Sequence, residues 1–414
     1  GPARDRTGRA ALSAAEASSP TVRTSPPAPG PASPLSILHT NFHRGWGGQP
    51  SRILMLSRAL AERGHRVTLA VPRGSMLAAR GREAGLEVFD AVEFRKSKFL
   101  LHAARDVAIL AGHLRDRRYD LIDAHGSQDV WTCVAARRLA GRTAPLVFTR
   151  HNTKRVRSHA LNRWLYGREI DHLIAVSRSV LERYEPFFQK GVLTADRVSV
   201  VHSAYRPDRF HPGISGTRVR GELGVGPDVP LVGVVGRLVA DKGQDDLLRA
   251  APLILKSKPE ARILLVGTGS RESYLKDLAA SLGLDRAVRF LGFRDDVPEI
   301  TASLNVSVLP SIDCDASSAV LKEALACGVP AVATSIGGAA EILEDGRTGL
   351  IVPPRDPGRL ASAILSLLDD PERARDMGRR GSRDVAERFS PERLGGETLE
   401  VYNRVVERFQ RSRP

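Results

Sequence analysis

The sequence predicts an α/β fold in which two Rossmann-like, doubly wound domains face each other across a cleft. Three observations carry that prediction. Short apolar runs alternate with longer amphipathic stretches, the pattern of strands and crossover helices on a parallel sheet. The alternation occurs twice, on either side of a Pro- and Gly-bearing stretch from Arg206 to Pro230 that has no strong period. Glycines and charged residues gather just past the carboxyl ends of the runs, where open α/β sheets bind ligands. A chain of 414 residues also exceeds one typical core and fits two domains of roughly 150–200 residues.

Residues 1–34 hold Pro, Ala, Ser, Gly and Arg with almost no large apolar side chains. Such a segment cannot bury enough surface to offset its ordering entropy, so it is expected to be disordered and without chemistry. Gly1-Pro2 has the look of a protease-cleavage remnant. From Leu35 the pattern changes. Ser36 to Thr40 predicts a strand, Arg44-Gly45-Trp46-Gly47-Gly48 a glycine-rich turn, and Pro50 to Arg63 a helix with Ile53, Leu56 and Leu60 on one face and Gly64 as its stop. His65 to Val71 is the second strand, alternating Val67, Leu69 and Val71. Further strands are expected at Val88-Phe89, Leu121 to Ala124, Leu146 to Arg150, Leu173 to Val176 and Val198 to Val201. The first domain is therefore placed at 35–205 and an interdomain linker at 206–230.

The second series places strands at Leu231 to Val235, Arg262 to Val266, Val288 to Leu291, Val306 to Leu309, Ala331 to Thr334 and Leu350 to Val352. Helices between them include Gly243 to Leu255, Arg271 to Leu282 and Ser318 to Cys327, the last stopped by Gly328 and Pro330. The second domain is placed at 231–390. Amphipathic, basic helices follow at Pro357 to Asp369 and Pro391 to Arg411, and the segment 391–414 is free to pack back on the first domain.

Composition narrows the function classes. Hydrophobic content of 42% and charged content of 26% are ordinary for a globular protein. No apolar run approaches the ~18 residues that span a bilayer, and no charged-then-apolar leader opens the sequence, so a cytoplasmic protein is expected. Cys133, Cys314 and Cys327 have unrelated spacings and form neither a disulfide framework nor a zinc site. Cys327 reads as packing, with no His nearby in sequence to activate it. The net charge of +15 attracts anions such as phosphorylated substrates, nucleic acid or an anionic membrane surface, unless it only reflects a habit of using Arg. Basic runs with interleaved apolar residues, Phe94 to Arg118 and Arg150 to Arg168, suit a peripheral contact with an anionic membrane or a lipid-linked molecule. They equally suit ordinary helices with Arg outside. No recognised nucleic-acid motif is present, so no nucleic-acid partner is expected.

The chemistry-bearing residues follow the strands. Asp315, in the loop after Val306 to Leu309, and Glu323, eight residues on inside the next helix, point toward one crevice, where carboxylates accept from hydroxyls. Bare amides at the helix starts suit phosphates. Gly236-Arg237-Leu238-Val239-Ala240-Asp241-Lys242-Gly243 leaves two cations, Arg237 and Lys242, at the cleft mouth. The Gly45-x-Gly47-Gly48 turn offers amides at a helix start, although a tight turn needing φ > 0 explains its glycines equally well. A dinucleotide fold would want a third Gly in register and an acid after the second strand. That strand ends Val71-Pro72-Arg73, which argues against NAD. His125 and His151 each lie just past a strand of the first half. Gly267-Thr268-Gly269 and Phe290-Leu291-Gly292-Phe293 are strand-ending turns of the second.

Glu323-Ala324-Leu325-Ala326-Cys327-Gly328-Val329-Pro330 resembles the signature of retaining glycosyltransferase family 4, in which Glu, seven residues and a second Glu precede Ala-Met/Leu-Ala-Cys-Gly-x-Pro. The similarity covers about Ser36 to Phe409, nearly all of the chain after its first segment. Two departures stand out: Asp315 replaces the first Glu, and Ala316-Ser317-Ser318 replaces Gly-Phe-Gly. The resemblance implies the GT-B fold and a hexosyltransferase that moves a sugar, with retention, from a nucleotide-sugar donor. A UDP-sugar comes first among the donors. The acceptor is implied to be a glycan or lipid-linked molecule of a bacterial cell-surface or lipopolysaccharide type, reached at the inner face of the membrane.

The resemblance also implies roles for single residues. Arg237 and Lys242 would hold the leaving diphosphate, with Gly47 and Gly48 opposite. Glu323 would hold the ribose hydroxyls, and Asp315 with the amides of Ser317, Ser318 and Ala319 the sugar. His125 would meet the sugar near the reacting centre, and His151 would line the acceptor side. Gly267 and Phe293 would flank the base. No metal and no cofactor is implied, because Arg and Lys replace the cation. Other readings remain: a sugar-nucleotide epimerase or a phosphorylase on the same fold, or a sugar-nucleotide-binding protein without catalysis.

Overall fold

Thirteen parallel strands, split between two sheets, organise the computed structural model, which describes residues 33–95, 100–313 and 315–412. The expectation of disorder for residues 1–34 falls, but for Ser33 and Pro34, outside the described residues, as does Cys314. In the first half, β1 (Ser36–Thr40), β2 (Arg66–Ala70), β3 (Glu87–Phe89), β4 (Leu121–Ala124), β5 (Leu146–Arg150), β6 (His172–Ala175) and β7 (Val198–Val200) pair in the order β3-β2-β1-β4-β5-β6-β7. In the second, β8 (Leu231–Val235), β9 (Arg262–Val266), β10 (Val288–Gly292), β11 (Val306–Leu309), β12 (Ala331–Thr334) and β13 (Leu350–Val352) pair in the order β10-β9-β8-β11-β12-β13. The predicted doubly wound α/β class is the one observed.

Both sheets reverse direction at their first strand. Ile37 of β1 sits between Val67 of β2 and Leu121 of β4, and Val232 of β8 between Ile263 of β9 and Val306 of β11. Such a reversal opens a crevice at the strands' carboxyl ends, because the flanking crossovers leave on opposite faces. The loops after β1, β4, β8 and β11 carry the Gly47-Gly48 turn, His125, Arg237 with Lys242, and Asp315. Topology alone brings these loops to two facing crevices.

A core lies under each sheet, around Leu38, Ile122 and Phe148 in one half and Val232, Ile263 and Leu265 in the other. The Pro391–Arg411 helix packs on the Gly48–Ala61 helix, and its Leu394, Val401, Tyr402 and Val405 share one buried cluster with Ile37, Leu56 and Leu60. The stretch from Arg206 to Pro230, read as an irregular linker, contains a helix, Thr217–Glu222. Its Val219 is buried against Ile300 and Leu304 of the second half, and its Gly216 lies so close to Ser303 that a Cβ would sit 2.3 Å from the backbone. One short amphipathic turn among prolines and glycines leaves no readable period. Among the described residues no helix is long and apolar enough to cross a membrane.

Candidate active site

The two crevices merge into one cleft of ≈1160 Å³ whose walls come from both halves. Gly47, Gly48 and His151 line it from the first. Arg237, Lys242, Asp315, Ser317, Ser318, Ala319 and Glu323 line it from the second.

On the first wall the glycines are not there for a left-handed turn. Gly47 has φ 170°, an extended backbone any residue adopts, and a Cβ on Gly47 or Gly48 would meet nothing within 4 Å. What their bareness leaves is open space over the first amides of the Gly48–Ala61 helix, a shape that suits an anion. Gln49 Nε2 donates to the His125 carbonyl at 2.7 Å and ties this turn to the loop after β4. That loop is fixed from below by Asp129, whose Oδ2 accepts from the amides of His125 and Gly126 and from Thr40 Oγ1.

His125 itself does not line the cleft. Its ring is fully buried, its Nδ1 stands 3.1 Å from His151 Nε2, and its Nε2 lies 3.6 Å from Asp123 Oδ2 without a hydrogen-bond partner. Burial, and then Arg52, holds the His125 imidazole well below the usual histidine range. Burial, and then His125, does the same for His151. Both rings are neutral at pH 7, and His151 is the one that faces the cleft. His39, Asp123 and His125 together have the chemistry of a metal cluster. The His39 nitrogens, however, are already bonded to Ser57 and Tyr402, and Asp123 to Thr149 and Tyr402.

On the second wall, Lys242 Nζ is 2.9 Å from Asp315 Oδ2, which also accepts from Ser311 Oγ at 3.1 Å. Asp313 lines the cleft two residues earlier, an Asp-x-Asp spacing, although from the sequence no such motif is expected to stand out. The loops carrying Lys242 and Asp315 touch so closely that only glycine fits between them. Gly243 has φ 62°, and a Cβ there would lie 2.0 Å from the Pro310 carbonyl. The Arg237 side chain is exposed to the cleft while Gln244 Nε2 holds its carbonyl at 2.8 Å. Glu323 sits inside the Ala319–Ala326 helix, whose first turn is capped by Ser318 Oγ accepting from the Leu321 amide. Burial pushes the Glu323 carboxyl up to about 7, with Arg209, Lys322 and Arg206 opposing it. Gly267 and Phe293 stand outside this wall. Gly267, at φ 130°, backs directly onto the Gly236 carbonyl, and Phe293 is 73% exposed.

Sequence reasoning missed three residues that join or floor the cleft. Lys322 is fully buried, and its Nζ donates to the Ser203 carbonyl of the first half (2.6 Å) and to Ser317 Oγ of the second (2.7 Å). Burial pulls its pKa down to about 7. Arg52, on the cleft floor, donates to the His202 carbonyl at 2.9 Å, while its Nε and one Nη are buried without partners. Glu341 accepts from the amides of Arg178 (2.8 Å) and Ser179 (3.2 Å) and from His202 Nε2 (2.9 Å), all across the cleft. Burial pushes the Glu341 carboxyl up, but His202 and those amides outweigh it and hold it below its usual value. The one available signal was Lys322 next to Glu323 in an otherwise apolar helix.

Comparison with known proteins agrees with this geometry. A model of glycosyltransferase family 4 matches residues 46–209, and one of glycosyl transferases group 1 matches residues 217–384. The D-inositol 3-phosphate glycosyltransferase of Streptomyces avermitilis is 30% identical over 326 residues, 73% of this chain and 68% of that protein. The D-inositol 3-phosphate glycosyltransferase 2 of Catenulispora acidiphila is 36% identical over 222 residues, 51% of either chain. This chain spans about half to two thirds of the length of several such curated relatives. In fold it is similar to Anabaena HepE, solved in complex with UDP, with a TM-score of 0.76, 24% identity and coverage of 89% of this chain and 100% of that one. Two facing Rossmann-like sheets, both halves matched in order, and the acidic helix at Glu323 lead to one statement: the chain belongs to glycosyltransferase family 4, with the GT-B fold.

Proposed function

We propose that the protein is a retaining glycosyltransferase that moves a hexose from a nucleotide-sugar donor, a UDP-sugar first, to a glycan or lipid-linked acceptor without a bound metal or cofactor. The observation that carries this reading is the shared cleft, where Arg237, Lys242, Asp315 and Glu323 of the second half face the bare Gly47-Gly48 amides of the first. In this reading residues 35–205 receive the acceptor and 231–390 the donor, with 391–414 returned to the first domain.

Glu323 accepts from the ribose hydroxyls. Arg237 and Lys242 meet the diphosphate, whose charge grows as the sugar bond breaks, so their attraction is strongest in the transition state. Lys242 rests on Asp315, and an arriving diphosphate competes for it. Its departure toward phosphate frees the Asp315 carboxylate to accept from a sugar hydroxyl. With neutral rings at pH 7, His151 at the wall and His125 behind it add no charge to repel an oxocarbenium-like sugar. The leaving phosphate takes the acceptor's proton, and closure of the cleft keeps out water that would hydrolyse the donor.

A thermal-shift panel of UDP, GDP and ADP with their sugars tests the donor site. The preferred nucleotide should raise the wild-type melting temperature, and Glu323→Ala and Lys242→Ala should abolish the rise. Wild-type-like stabilisation of both variants would refute the assignment. Release of free nucleoside diphosphate separates transfer from an epimerase, which re-forms its donor.

A further inference from the structure

A second cavity of ≈270 Å³ opens in the first half beside the cleft, and Arg155 lines both. Its cations are Arg150, Arg155 and Arg157, with the His159 ring beside them; its apolar walls include Val130, Trp131 and Leu165, and no carboxylate lines it. None of these three arginines, nor Lys154 beside them, is ion-paired among the described residues. Three other arginines of this half are neutralised, Arg137 by Asp171 and Arg138 and Arg142 by Glu169. The cavity is also built rather than loose. Arg150 donates to the Lys154 carbonyl, Asn162 to that of Arg157 (2.7 Å) and Arg163 to that of Ser158 (2.8 Å). Of the lining residues, Arg150 has its Nε buried without a partner, a state that costs free energy until something bonds to it.

We propose that this cavity holds a phosphate or diphosphate group carried by the acceptor, an inference that rests on the donor-site reading above. The donor's own diphosphate is matched on the opposite wall by Arg237 and Lys242, whereas the cavity belongs to the half that presents His151. Several unpaired guanidinium groups suit a dianion, which they grip in bidentate fashion, better than a single carboxylate. The apolar walls give room for a ring or an isoprenoid unit next to the charge.

The test keeps the donor site filled with saturating UDP. Calorimetric titration of this loaded protein with inorganic pyrophosphate, and separately with farnesyl diphosphate, should each give one binding event. Arg157→Gln should weaken it at least tenfold while binding UDP as wild type does, and neutral glucose should not bind. A farnesyl advantage of tenfold or more assigns the group to a lipid-linked acceptor, and parity assigns it to a soluble sugar phosphate. Arg155→Gln serves as a second variant, with melting curves to show that each is folded. The proposal is overturned if UDP-loaded wild type takes neither diphosphate or if both variants bind them unchanged. Capture of the protein by phosphatidylglycerol vesicles without binding of either small ligand would also overturn it. Failure of UDP to bind wild type sinks the donor-site reading instead.

Discussion

Glu323 couples the pH to both folding and binding. Its carboxyl rises from 4.5 to about 7 on folding because burial penalises the charged form. Between those values the folded chain holds a proton that the unfolded chain has lost, so stability is full below about pH 4.5 and falls as pH rises through 7. A shift of this size corresponds to about 3 kcal/mol. Glu323→Gln removes the ionisable group, so its stability advantage over wild type should grow by up to that amount between pH 5 and pH 8, read from urea unfolding. A ribose hydroxyl bonds the ionised carboxylate more strongly than the acid, so UDP affinity should rise from pH 6 to 8 in wild type and stay flat in the variant. The residue was legible in sequence because its motif is contiguous. His125 was legible as a loop residue but not as a buried one, since only the fold shows that His151 stands in front of it. Arg52 carried no signal, for nothing in its helix distinguishes a cation on the cleft floor from one in solvent.

At the scale of elements, the strands were readable nearly to the residue, because parallel strands buried on both faces are short, continuous apolar runs. The Pro371–Arg388 helix was not. Its buried stripe is Ala374, Met377, Gly378, Gly381 and Val385, small residues that let the helix approach the Gly328 carbonyl to where a Cβ on Gly378 would lie 2.0 Å from it. With two glycines and an alanine among its five positions, the stripe leaves only Met377 and Val385 to mark a hydrophobic period. The Pro391–Arg411 helix was readable as amphipathic, yet its polar contribution was hidden. Tyr402 donates its hydroxyl to Asp123 Oδ2 at 2.5 Å, and both side chains are wholly buried. Tyr402→Phe keeps the ring's packing but strips a buried carboxyl of a donor, at a cost of about 1–3 kcal/mol. The melting temperature should fall by several degrees, and a fall no larger than that of a surface Tyr→Phe control would refute the role.

For the whole molecule, the two halves are held together across the cleft by Lys322 and by Glu341 with His202, the amides of Arg178 and Ser179 completing the contact. Glu341→Ala leaves those donors to water, so small-angle scattering should show a larger radius of gyration for the variant without nucleotide, converging on wild type when UDP is added. Equal radii in both states would refute a latch. Nothing in the sequence ties position 341 to positions 178 and 202, because they meet only once two separately folded sheets face each other. The Pro391–Arg411 helix has a consequence for synthesis as well. It supplies part of the core beneath β1, although some 350 residues separate Ile37 from Leu394 in the chain. A domain that leaves the ribosome early therefore waits, with an apolar groove uncovered, for a helix made hundreds of residues later. The first half thus cannot close its core until this last helix is made, whereas the buried clusters around the second sheet end at Phe389.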